Sequence, residues 1–109
     1  SHCQLMKPAA EAMAKKLETV AFSTPRIPVY HNVDVAQHEA SAEMRDALVE
    51  QIYRPVRWVE TVQALADQGI DRLIELGPGK VLAGLAKRID RRVAGVCVQD
   101  LASLEKAQA

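Results

Sequence analysis

A histidine stands near the start of the chain, in the run Ser1-His2-Cys3-Gln4, directly before an amphipathic segment. Histidine is the commonest acid-base residue in proteins, so His2 could act as a general base for a nucleophile that lies opposite it. The alternative is an incidental histidine at a helix start, because Ser1 and Gln4 have the S-x-x-Q spacing of a capping box. The spacing alone leaves both interpretations open.

The run Glu75-Leu76-Gly77-Pro78-Gly79-Lys80 lies between a predicted strand and a predicted helix. Glycines allow a sharp turn, and the free amides at a helix N-terminus can bind an anion. The run nevertheless lacks the spacing of a P-loop and of the G-x-G-x-x-G dinucleotide fingerprint. The pattern therefore favours a structural corner over a phosphate site.

The basic pair Lys87-Arg88 lies at the end of that helix, and a second pair, Arg91-Arg92, follows it. Cations are favourable at a helix C-terminus, so a solvated helix end is one interpretation. A docking patch for an acidic partner is the other. The remaining histidines, His31 and His38, have no tightly spaced partners, and the sequence predicts no metal site.

Composition excludes several classes of protein. The chain has 109 residues, enough for one domain, and its 14 basic and 14 acidic residues cancel. A neutral chain is not expected to bind nucleic acid by bulk charge, and no apolar run is long enough for a membrane span. Cys3 and Cys97 are too few for a disulfide framework, so we expect reduced thiols in a cytoplasmic protein.

Hydrophobic periodicity predicts helices and strands in alternation, which favours an α/β fold with parallel strands and crossover helices. Ser41 is expected to cap the second helix, and Pro55 to occupy the first position of the third. Gly69 is expected to end that third helix in a left-handed conformation. The predicted elements are a helix over 5–21, a strand over 27–31, helices over 42–53 and 55–68, a strand over 72–76, a helix over 80–89, a strand over 93–98 and a helical tail over 101–107.

Four segments carry a pattern that is more specific than any single motif. They are SHCQLMKPA from Ser1, YHNVD from Tyr30, QIYRPVRW from Gln51 and ELGPGKVL from Glu75. In this order and spacing they resemble the malonyl-CoA:acyl carrier protein transacylases, over residues 1 to about 89.

The resemblance implies part of an α/β-hydrolase-like parallel sheet with flanking helices, the C-terminal portion of the large acyltransferase subdomain. The nucleophile serine of the family lies in a G-H-S-x-G elbow, and the chain contains no such motif. The oxyanion-hole residues, the arginine for the malonyl carboxylate and the ferredoxin-like subdomain of the family are absent as well. Residues 1–109 are therefore expected to be a single partial domain, cut just before the catalytic histidine and inactive alone.

The resemblance also implies roles for individual residues. His2 would be the base that activates the serine, and the backbone carbonyl of Gln51 would orient it. Lys87 and Arg88 would dock acyl carrier protein. The expected partners are malonyl-CoA, acyl carrier protein and the missing N-terminal part of the enzyme, with neither nucleic acid nor membrane, and no cofactor is expected.

Three other functions remain open at this point. The first is an acyltransferase domain of a polyketide synthase rather than an enzyme of fatty-acid biosynthesis. The second is a non-catalytic module that docks carrier protein through Lys87 and Arg88. The third is a nucleotide-binding α/β domain that uses Gly77 to Lys80.

Overall fold

The computed structural model describes all 109 residues, which form two compact units, Ser1–Thr61 and Val62–Ala109. The elements of the first unit begin with a short 3-10 helix, and a third helix starts in the first unit and ends in the second. In chain order they are the 3-10 helix Gln4–Met6, α1 (Lys7–Leu17), β1 (Tyr30–His31), β2 (Ala36–Gln37), α2 (Ser41–Tyr53) and α3 (Trp58–Asp67).

Helices α1 and α2 pack against each other and form the centre of the first unit. Their buried side chains are Ala10, Leu17, Met44 and Ala47. Arg45 of α2 joins the two helices by a polar contact, because its guanidinium donates to the carbonyls at the end of α1. Arg45 thereby supplies donors to carbonyls at and just after the end of α1, where intrahelical donors run out.

Helix α1 is shorter than the apolar periodicity predicts. It ends at Leu17 instead of Ala21, and Thr19 and Val20 continue the chain in tight turns. The carbonyl of Leu17 accepts a hydrogen bond from Arg45, at 3.0 Å from Nε. A tertiary contact thus lies where the helix ends, four residues before its hydrophobic pattern does.

The predicted strand over 27–31 is wrong in extent and in pairing. Only Tyr30–His31 is extended, and it pairs antiparallel with β2 in a hairpin. Val35 between them takes a left-handed φ of 55°. Antiparallel strands can be joined by a short local turn, so this hairpin forms without the crossover connection that a parallel pair needs.

The expected starts of α2 and α3 are also wrong. Ser41 is the first residue of α2, and the N-cap is Ala40 with no side-chain cap. Helix α3 begins at Trp58 rather than Pro55, and the Arg57 amide just before it donates to the Asn32 carbonyl. The predicted end of α2 at Tyr53 is confirmed, and Arg54 is extended, as expected before a proline.

The second unit contains a small parallel sheet with helices against it. Its elements after α3 are β3 (Arg72–Leu76), α4 (Val81–Ile89), β4 (Ala94–Val98) and α5 (Leu101–Gln108). Strands β3 and β4 pair in parallel with α4 as the crossover, and both α4 and α5 contact β4. The predicted strands, the helix of the tail and the left-handed Gly69 are confirmed, so this unit follows its sequence pattern closely.

One close contact sets the distance between α4 and the sheet. A Cβ at Gly95 would lie 2.0 Å from the carbonyl oxygen of Ala83, so only glycine fits there. On β3, Leu73 and Glu75 are half-buried, whereas Ile74 and Leu76 are exposed. Each of the two strands has one neighbour, so each leaves one edge unpaired.

The two units together are a mixed α/β chain, as the sequence predicts. No helix in the structure is both long enough and apolar enough to cross a lipid bilayer.

We expect Arg45→Gln to lower the free energy of unfolding by about 1–2 kcal/mol, since it removes charged donors from the carbonyls of Leu17 and Val20. The measurement is denaturant unfolding of the chain followed by circular dichroism. Arg54→Gln is the matched control, because Arg54 makes only a distant ion pair with Glu50, at 3.6 Å. Equal losses for the two variants would contradict the role assigned to Arg45.

Candidate active site

His2 is held against the C-terminal turn of α2 by two hydrogen bonds. Its backbone N–H donates to the carbonyl of Ile52 at 3.1 Å, and its ring Nδ1 lies 2.7 Å from the carbonyl oxygen of Gln51. A carbonyl oxygen can only accept, so Nδ1 must carry the proton in this contact. The neutral ring therefore presents an unprotonated Nε2, which is the atom that a general base uses.

The backbone of His2 takes an uncommon conformation to make these contacts. Its φ is 58°, in the left-handed region that residues other than glycine rarely adopt. Such a conformation costs of order 1 kcal/mol or more and persists where surrounding contacts determine it. The two hydrogen bonds to α2 supply that determination, and His2 remains exposed on its other sides.

The first turn after His2 is fixed by further contacts. Cys3 is the N-cap of the 3-10 helix and makes no side-chain cap, so the capping box predicted from Ser1 and Gln4 is wrong. The physical reason is the turn at His2, whose amide is directed to α2. Lys7 lies over the ring of Tyr53, with Nζ 4.0 Å from the ring centroid, and links the start of α1 to the end of α2.

The other two histidines of the chain form a polar cluster that the sequence analysis missed. His38 Nε2 lies 2.6 Å from Asp34 Oδ2, and His38 Nδ1 lies 3.2 Å from Glu43 Oε2. The hydrogen bond to Asp34 raises the pKa of His38. Burial, and secondarily the neighbouring His38, lowers the pKa of His31. The i, i+4 spacing of Asp34 and His38 was the available signal.

This cluster links the segment after β2 to β1 and to the turn of the hairpin. The rings of His31 and His38 are 5.1 Å apart, between β1 and the segment after β2. No group of three or more histidine, cysteine, aspartate or glutamate side chains in the structure is arranged to hold a metal ion.

The side-chain carboxylate of Glu75 lies at the corner between β3 and α4. The carboxylate of Glu75 accepts from the backbone N–H of Ala83, at 3.0 Å, in the first turn of α4. Lys80, the N-cap residue, makes no side-chain cap, so Glu75 takes over that function. Gly77 and Gly79 have φ values of 122° and 92°, which explains the glycines in this tight loop.

The Glu75 carboxylate decides between the two interpretations of the corner. The positive end of the helix dipole stabilises the Glu75 carboxylate at the N-terminus of α4, and this carboxylate repels a second anion. The geometry therefore supports the structural corner and gives no support to a nucleotide phosphate site at Gly77 to Lys80.

Lys87 and Arg88 differ from Arg92 in their contacts. Arg92 is bound to Asp90 and Asp67, each at 2.8 Å, and this contact holds the pKa of Asp90 at about 2. Lys87 and Arg88 lie exposed in the last turn of α4 and make no ion pair. Their charges are thus available to a partner, whereas that of Arg92 stabilises the second unit itself.

Several solved structures are similar to this chain in fold and sequence. An acyl carrier protein S-malonyltransferase from Vibrio cholerae is 51% identical with a TM-score of 0.93, and the alignment covers 98% of this chain and 35% of that one. A malonyl-transacylase in complex with its type II PKS acyl-carrier protein is 50% identical with the same TM-score, over 98% of this chain and 35% of that one. The α/β-hydrolase-like acyltransferase fold that the sequence predicts agrees with these structures.

Curated relatives carry one common name. The malonyl CoA-acyl carrier protein transacylase of Haemophilus influenzae is 50% identical over 108 residues, 99% of this chain and 35% of that protein. That of Bacillus subtilis is 39% identical over 106 residues, 97% of this chain and 33% of that protein. No family model matches the chain. The resemblance predicted from the four motifs is confirmed, and the chain spans about a third of the length of these relatives.

We expect Glu75→Ala to destabilise the chain by about 1 kcal/mol, the typical cost of losing a helix N-terminal cap. Glu75→Gln keeps an acceptor oxygen for the Ala83 amide and should cost clearly less. Denaturant unfolding of both variants measures the difference. Equal effects, or stabilisation of the original chain by millimolar phosphate, would contradict an internal cap.

Proposed function

We propose that this chain is the histidine-bearing, C-terminal part of a malonyl-CoA:acyl carrier protein transacylase of fatty-acid biosynthesis, acting in the cytoplasm. The observation that carries the proposal is the 2.7 Å contact between His2 Nδ1 and the Gln51 carbonyl, which leaves Nε2 as the base. The relatives' names supply the reaction, and the geometry at His2 supports a place for this chain in it.

The first half-reaction is acylation of a serine. His2 Nε2 removes the proton of a serine hydroxyl, whose oxygen attacks the thioester carbonyl of malonyl-CoA. The carbon–sulfur bond breaks, a malonyl-serine ester forms and the imidazolium of His2 gives its proton to the coenzyme A thiolate. The serine belongs to the part of the enzyme that this chain does not include, since the chain lacks a G-H-S-x-G motif.

The second half-reaction reverses the roles with a different thiol. His2 takes the proton of the phosphopantetheine thiol of acyl carrier protein, and the sulfur attacks the malonyl-serine ester. The serine oxygen leaves and recovers the proton from His2. Throughout both halves the Gln51 carbonyl keeps Nδ1 protonated and the ring in one orientation, the function that the orienting group of a catalytic triad performs.

Lys87 and Arg88 are proposed to dock acyl carrier protein. Their exposure and lack of ion pairs support this assignment, since an unpaired basic pair can steer an acidic partner. The solved malonyl-transacylase that is bound to its acyl-carrier protein gives the precedent for such a complex.

In the complete enzyme we expect His2→Ala to reduce malonyl transfer by roughly 10²-fold or more, the typical contribution of a general base. Gln51→Ala is the matched control, because it changes the side chain and keeps the carbonyl that His2 contacts. The assay follows malonyl transfer from coenzyme A to acyl carrier protein. Near-normal activity of His2→Ala would refute the proposed base, and a Gln51→Ala loss of similar size would refute the backbone role.

Reversing the charge of both Lys87 and Arg88 to Glu should raise the KM for acyl carrier protein several-fold in the complete enzyme and weaken its salt dependence. Acylation by malonyl-CoA should change much less. Lys15→Glu with Lys16→Glu is the matched control, since that pair is also exposed in the last turn of a helix. Equal effects on both half-reactions, or equal effects of the two charge reversals, would contradict docking at Lys87 and Arg88.

A further inference from the structure

The Gln51 carbonyl that holds the His2 ring lacks a helical donor because of the residue four positions later in the chain. In a continuing helix the Gln51 carbonyl would accept from the amide of residue 55, four positions later. In a tighter 3-10 ending, the Ile52 carbonyl would accept from the same amide, three positions later. Residue 55 is Pro55, which has no N–H.

Two amides beside position 55 donate to other carbonyls. The N–H of Arg54 donates to the carbonyl of Glu50 at 3.0 Å, and the N–H of Arg57 donates to the carbonyl of Asn32 at 2.9 Å. No local amide donates to the Gln51 carbonyl, and the His2 ring is its partner. The Ile52 carbonyl accepts the His2 amide, which holds the backbone of His2 beside this contact.

The surroundings of Pro55 indicate a backbone role rather than a packing role. Pro55 is exposed, so its ring contributes little to the core. It does not begin α3, which starts three residues later at Trp58. The effects that remain are the extended conformation of Arg54 and the missing donor at position 55.

We propose that Pro55 is a positioning residue for His2. By withholding an N–H at position 55, it keeps the Gln51 carbonyl for the imidazole Nδ1 and so selects the tautomer with an unprotonated Nε2. The catalytic meaning of this arrangement rests on the proposed function, whereas the arrangement itself is a property of the chain and is measurable without any activity.

The test separates the missing N–H from the rigidity of the proline ring. Pro55→Ala restores a donor at position 55. Pro55→lactic acid, introduced as an α-hydroxy acid, is the ester analogue of that alanine: it has the same methyl side chain and no N–H. Pro28→Ala is the control for loss of an exposed proline elsewhere in the same unit.

The tautomer of His2 is read from its ring ¹⁵N chemical shifts in the 109-residue chain, above the pH at which the ring is protonated. We expect Pro55→Ala to lower the ratio of the Nδ1-protonated to the Nε2-protonated form by about fivefold, the weight of one net hydrogen bond. The new amide at position 55 should also be protected from hydrogen exchange. Pro55→lactic acid and Pro28→Ala should keep the original ratio.

Unchanged tautomers in Pro55→Ala, or equal shifts in Pro55→Ala and Pro55→lactic acid, would overturn the proposal. If Pro55→Ala does not fold in the isolated chain, the same pair is compared in the complete enzyme, where a fall in kcat specific to Pro55→Ala supports the proposal and equal kcat values overturn it. The proposed function fails separately: His2→Ala would then retain activity while the tautomer still responds to Pro55→Ala as expected.

Discussion

The hydrogen bond between the His2 ring and the Gln51 carbonyl is the contact on which the arrangement of the candidate site depends. It joins the start of the chain to the end of α2, at residues 49 positions apart. The contact requires the left-handed backbone conformation of His2. It also requires that the Gln51 carbonyl, in the last turn of α2, has no donor within the helix. The packing of α1 on α2 keeps the start of the chain beside the end of α2. Arg45 joins the two helices at the opposite end of their interface.

A common device recurs in both units: side chains complete the hydrogen bonding of helix ends. Arg45 donates to the end of α1, His2 to the end of α2, Glu75 accepts at the start of α4, and Asp100 with Ser103 forms a capping box on α5. Helix ends carry unsatisfied backbone groups, so they accept contacts from distant segments without disturbing the helix itself. At α2 the distant contact carries a ring with acid-base chemistry, and this distinguishes the site from the other three.

The sequence predicted much of the second unit and less of the first. Strands β3 and β4 and the stop at Gly69 follow directly from apolar runs and a glycine, because local preference and burial agree there. The early end of α1 and the hairpin at Tyr30 depend on contacts with distant residues, which periodicity does not encode. The Gln51 acceptor was predicted through the resemblance. The contact of His38 with Asp34 had only its i, i+4 spacing as a signal, and the cap from Glu75 was visible only once the chain was folded.

The most direct test of the account is the hydrogen bond itself. The chain is prepared with ¹⁵N-histidine and a ¹³C-labelled carbonyl at Gln51, and scalar coupling across the hydrogen bond is measured between His2 Nδ1 and that carbonyl carbon. We expect a resolved correlation together with a protonated Nδ1 and an unprotonated Nε2. A ring protonated at Nε2 with a bare Nδ1 would contradict it.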